Sequence, residues 1–127
     1  MKRFREWLGL KQRLDESTRQ PLGAEREVWW INIGENVGRE INGKSAEFSR
    51  PALILKKLSS NLYLVVPLTS KPHKGNWFVS LHHGNQTSIA CLHQVRVIDY
   101  RRLINRHGYV SMNDHARVRR AFLELYS

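Results

Sequence analysis

Three clusters of polar side chains stand where apolar runs begin or end, and their types suit work on a phosphate group. Arg50 directly precedes Pro51 and the apolar residues that follow it. Its guanidinium is planar, always charged, and presents a fork of N–H donors that matches phosphate oxygens. Thr69 and Ser70 follow the run Leu62 to Leu68. A hydroxyl at that position donates to an anion, or bonds its own backbone in an ordinary turn. His93, Gln94 and Arg96 lie close together in a later run, and imidazole is the side chain that exchanges a proton near neutral pH. Glu40 is an alternative base, although Arg39 beside it offers an ion-pair partner that would occupy it.

Other chemistries lack their signatures. The chain has no Walker phosphate loop, no dinucleotide-binding glycine pattern and no helical HExxH motif, so no cofactor is expected. The adjacent histidines His82 and His83 read as a loop pair rather than as part of a metal site. With one cysteine, Cys91, there is neither an intrachain disulfide nor a repeated-cysteine zinc site, and no metal is expected. The 21 lysines and arginines outnumber the 11 acidic residues, for a net charge of +10. Such a surface concentrates polyanions, which makes nucleic acid the first partner to consider. No apolar run is long enough to span a bilayer, and the basic amino terminus runs into Glu6, Gln12 and Asp15 rather than a signal core. A cytoplasmic protein with no membrane partner is expected.

The elements that must carry these side chains follow from periodicity. Phe4, Trp7, Leu8 and Leu14 fall near one helical face, with Lys2, Arg3, Arg5, Lys11 and Arg13 opposite, which predicts an added amphipathic helix over residues 1–20. Strands are predicted over 27–33, 51–58, 62–68, 77–81 and 88–99, where β-branched, aromatic and aliphatic residues concentrate between polar breaks. Ser59, Ser60 and Asn61 make a hairpin-length break, whereas Gly34 to Ser49 is a long polar loop. Ser111 and Asp114 have capping-box-like spacing ahead of a stripe of Val118, Ala121, Phe122 and Leu125, which predicts a closing helix. A length of 127 residues fits one compact core.

Four segments in order, EVWWINIGENVGREING, FSRPALIL, VVPLTSKP and SIACLHQVRVIDYRRL, resemble the MazF/PemK toxins over roughly residues 27 to 125. Four ordered motifs are far more specific than one. The chain departs from the family pattern at Ile41, where a glutamine is usual, at Arg39, and at Cys91 and His93, where some members carry an arginine and an aspartate. The resemblance implies an α+β, mainly β fold: a small SH3-like or PemK-type barrel over residues 24–127 with a C-terminal helix. It also implies an endoribonuclease that cleaves single-stranded RNA without a metal, inhibited by a cognate acidic antitoxin, and assembled as a homodimer.

Carried onto this sequence, the resemblance assigns catalysis to Arg50 and Thr69, with His93 standing where a carboxylate acts elsewhere. RNA binding falls to Arg39, Glu40, Ser70, Lys71, Gln94 and Arg96, with bracing of the strand an equal alternative for Gln94 and Arg96. Trp29, Trp30 and Trp77 offer aromatic faces to unstacked bases, against core packing as their more ordinary use. Two other functions fit a small basic barrel: a CcdB-like inhibitor of DNA gyrase, and an RNA-binding module that does not cut.

Overall fold

The computed structural model describes residues 23–33 and 49–127. The predicted amino-terminal helix and the loop carrying Arg39 and Glu40 lie outside the described residues. Seven strands form one antiparallel sheet: β1 (Glu27–Asn32), β2 (Ser49–Lys57), β3 (Leu62–Thr69), β4 (Phe78–His83), β5 (Gln86–Cys91), β6 (Arg96–Asp99) and β7 (Leu103–Tyr109). They run in the order β4-β5-β3-β2-β1-β7, with β6 pairing on β3. An isolated bridge between His83 and Val110 links the two ends of the strand order, so the sheet curls back on itself. A single helix, α1 (Met112–Leu125), closes the chain.

Alternation along the strands divides the apolar residues between two faces. On β2, Leu53 and Leu55 join Val28, Val66, Leu68, Leu81, Leu92 and Val110 in one buried cluster, against which Ala121, Phe122 and Leu125 of α1 pack. Ala52 and Ile54, the intervening residues, join Ile31, Tyr63, Val65 and Ile98 on the other side. The helix forms where the stripe and the cap predict it. The Ser111 hydroxyl accepts from the Asp114 backbone N–H at 3.0 Å, Val118 is fully buried, and the buried His115 bonds the Leu55 carbonyl through Nε2 at 3.1 Å.

Two sequence expectations need correction. The predicted single strand over residues 88–99 is broken into β5, a 3-10 turn at Leu92–Gln94, and β6. The cause is pairing with one neighbour: Ala90 lies opposite Leu68 and Arg96 opposite Val65, so three steps along β3 must match six on its partner. The surplus residues leave the ladder as the turn. Leu92 is driven into the core and bonded by its N–H to the Trp77 carbonyl at 2.8 Å. His93 and Gln94 are therefore on an exposed turn and not on a strand.

The segment Leu103–Tyr109, polar in composition and not expected as a strand, is β7. It pairs with β1 through two register shifts, in which Val28 faces Gly108 but Trp29 faces Arg106, and Trp30 faces Asn105 but Ile31 faces Leu103. His107 and Ile104 are thus the extra residues of two bulges. His82 and His83, expected in a loop, end β4 instead, and His83 is buried.

Candidate active site

Arg50 and Pro51 enter β2, and Thr69 closes β3 two strands' width from β1, so the ends of the central strands gather at one rim. A cleft of about 600 Å³ opens there. Arg50, Thr69 and Ser70 line it, and so do Trp30, His83, Gln86, Ser88 and His107. Arg50 is held on two sides: Nη1 donates to Gln94 Oε1 at 2.9 Å, and Nη2 makes a long contact of 3.5 Å to the Leu68 carbonyl. A guanidinium has five N–H donors, so this tether orients the group and leaves donors for an anion. Cys91 lies beside it. Burial pushes the Cys91 thiol up, an effect that the neighbouring Arg50 guanidinium opposes.

The Gln94 side chain links Arg50 to His93, whose Nε2 is 3.1 Å from Gln94 Nε2. Since the Gln94 amide nitrogen is a donor, His93 accepts there with an unprotonated Nε2. The His93 ring meets the edge of Phe78 with centroids 5.3 Å apart, and His73 stacks flat on Phe78 at 4.5 Å. The Thr69 hydroxyl accepts the Lys71 N–H at 3.2 Å, which is the turn chemistry expected of a hydroxyl at a strand end. Accepting that bond leaves its own O–H available as a donor.

The predicted site residues therefore divide. Arg50, Thr69 and Ser70 share the cleft. Gln94 and His93 reach it through Arg50. Lys71 and Arg96 are exposed and are not among the described residues that line it; Arg39 and Glu40 lie outside the described residues. Of the three tryptophans, Trp29 packs against the second core cluster and donates to Glu27 Oε1 at 2.9 Å, Trp77 meets Tyr126 edge-on, and Trp30 alone lines the cleft.

Sequence reasoning missed His83, Ser88 and His107. His83 Nε2 and Ser88 Oγ are 2.8 Å apart and buried. Burial, with His107 nearby, holds the His83 imidazole below the usual histidine range. No local signal marks these residues, because the pairing of β4 with β5 and the bulge in β7 bring them together. Among the described residues, no three or more His, Cys, Asp or Glu side chains gather as a possible metal-ligand set, and no helix is long and apolar enough to cross a membrane.

The fold is shared with solved toxin structures. MazF from Deinococcus radiodurans superposes with a TM-score of 0.64 at 24% identity, over 81% of this chain and 94% of that one. A MazE–MazF structure from the same organism gives 0.63 at 21%, over 81% and 93%. The Mycobacterium tuberculosis toxin MazF-mt6 gives 0.60 at 17%, over 80% and 96%. No curated protein sequence matches the chain. The family model described as PemK-like, MazF-like toxin of type II toxin-antitoxin system matches residues 24–126, and the chain belongs to that family.

Proposed function

We propose that this toxin is an endoribonuclease that cuts single-stranded RNA without a metal. The ribose 2′-hydroxyl attacks the adjacent phosphorus, the bond from phosphorus to the 5′-oxygen breaks, and the products carry a 2′,3′-cyclic phosphate and a 5′-hydroxyl. Three demands follow: a base for the 2′-proton, stabilisation of the crowded anionic phosphorus, and a proton for the leaving oxygen. Arg50 stabilises the anionic centre, and Thr69 donates a hydroxyl hydrogen bond to a phosphoryl oxygen. His93, with its unprotonated Nε2 held by Gln94, serves as the proton carrier. Ser70, Lys71, Gln94 and Arg96, with Arg39 and Glu40, contact the RNA backbone.

The observation that carries this reading is the tethered Arg50 in a cleft it shares with Thr69 and Ser70, in a chain of net charge +10. An orienting bond spares the guanidinium the entropy of finding the phosphate. The natural partners in this reading are an acidic antitoxin and a second copy of the toxin, in the cytoplasm. A MazE–MazF structure is among those sharing the fold, and Met112, Leu123 and Val97 expose large apolar surfaces suited to a partner.

The test is incubation of the pure protein with a long defined RNA in EDTA, followed by mapping of the ends. Discrete cuts with 5′-hydroxyl and cyclic phosphate ends support the reading. RNA that is bound and left intact, or cleavage that stops when EDTA is added, refutes it.

A further inference from the structure

The part of the cleft beyond Arg50 is built from side chains that the cleavage chemistry does not use. Trp30 and His107 both line it, with ring centroids 5.9 Å apart and planes inclined at 66°. His107 is exposed and is the extra residue of a bulge in β7; bulges commonly re-aim a side chain beside a functional site. Its position is fixed three ways. Its Nε2 is 3.2 Å from Gln86 Oε1, so Nε2 carries the proton and donates. Its ring also meets the buried His83 at 5.1 Å and Trp30 edge-on. The buried His83 and Ser88 line it as well, with His83 Nε2 2.8 Å from Ser88 Oγ.

We infer that Trp30 and His107 form a subsite for one unpaired nucleobase of single-stranded RNA, next to the phosphate held by Arg50. This inference rests on RNA being the ligand of the cleft. Two aromatic rings meeting edge-on leave a face open, and a base face stacks on such a ring whatever its sequence. The Phe78 ring, by contrast, is not among the described residues that line the cleft and is already stacked on by His73. Position supports the assignment as well. Trp30 and Arg50 line the same cleft, so a chain whose phosphate meets Arg50 has a neighbouring base within reach of Trp30. Gln86 and Thr87, also in the cleft wall, supply polar groups to the edge of that base.

The test separates binding from cleavage. A short single-stranded oligonucleotide with fluorine in place of every 2′-hydroxyl cannot be cut, and a single abasic position is moved along it while affinity is read by fluorescence anisotropy. For the wild type, one position is expected to weaken binding about five- to a hundredfold, the range of a lost base stack. His107→Ala and Trp30→Ala are expected to bind the intact oligonucleotide correspondingly less well and to show no further loss at that abasic position. Should Trp30→Ala fail to fold by circular dichroism, His107→Ala, with an exposed ring, and Trp30→Phe carry the comparison. Equal abasic penalties in wild type and variants overturn the subsite, as does wild-type affinity in His107→Ala. Absence of any binding overturns it too. The expected binding pattern together with an uncut all-ribose RNA sustains the subsite and refutes the nuclease.

Discussion

Replacing Arg50 tests the proposed chemistry most directly, and its cost can be worked from the contacts the side chain makes. In the ground state those contacts are modest: one good bond to an exposed glutamine and one of 3.5 Å to the Leu68 carbonyl, too long to be strong. When Arg50→Ala removes them, water reaches Gln94 easily, so the loss of stability should stay under about 1 kcal/mol. Loss of a charged donor aimed at a transition-state oxyanion costs about 2 to 4 kcal/mol, roughly 30- to 1000-fold in rate. Arg50→Lys keeps the charge and loses the fork. A single ammonium cannot hold Gln94 Oε1 in place and grip the phosphate in the same planar geometry, so its rate should fall about 10- to 100-fold, between wild type and alanine. The assay is single-turnover cleavage of an end-labelled RNA in EDTA, with thermal unfolding of each variant measured alongside. A folded Arg50→Ala protein that cuts within threefold of the wild-type rate would refute the mechanism. Equal rates for lysine and alanine would show that the fork, and not the charge, is what matters.

Thr69→Ala should slow cleavage about tenfold, the worth of one neutral hydrogen bond, while Thr69→Ser retains most activity; in parallel, His93→Ala should change the shape of the pH–rate profile, and an unchanged profile would remove His93 from proton transfer. Burial depresses both His83 and His115. The unfolded chain therefore takes up protons that the native state resists. The stability that these two contribute is full above the unfolded histidine value of about 6.5 and is lost as pH falls through their lower folded values. Urea unfolding at pH 7.5 and pH 5.5 should give the lower midpoint at pH 5.5, and His115→Gln should reduce the difference; a midpoint rising on acidification would contradict the burial. Ser111→Ala removes the cap on the Asp114 N–H and should destabilise the protein by about 1 kcal/mol in thermal unfolding, whereas an unchanged midpoint would mean that water replaces the cap. Sedimentation at micromolar concentration should find a dimer that buries exposed apolar residues such as Met112 and Leu123, and a strict monomer would count against it.

Local patterns determined much of this protein. Period-two alternation reports which residues can bury one sheet face, so β1 to β4 appear close to where the sequence puts them. The helix α1 appears because its cap and its stripe lie within a few residues of each other. Arg50, Thr69 and Ser70 were legible for a similar reason: polar residues at the ends of apolar runs must emerge at a rim, and the RP and TS motifs mark them. The decisive geometry elsewhere depends on distant partners. Whether residues 88–99 stay straight is decided by β3, which offers three residues where the segment has six, and this moves His93 and Gln94 onto a turn where Gln94 can reach Arg50. Whether a polar segment such as Leu103–Tyr109 becomes a strand is decided by the free edge of β1, which supplies the hydrogen bonds its composition does not advertise. The bulge that lifts His107 toward Trp30 and His83 is a mismatch of register between two strands nearly eighty residues apart in the chain, as the Glu27–Arg106 ion pair also shows. Register is a property of a pair of strands, and neither sequence segment carries it alone.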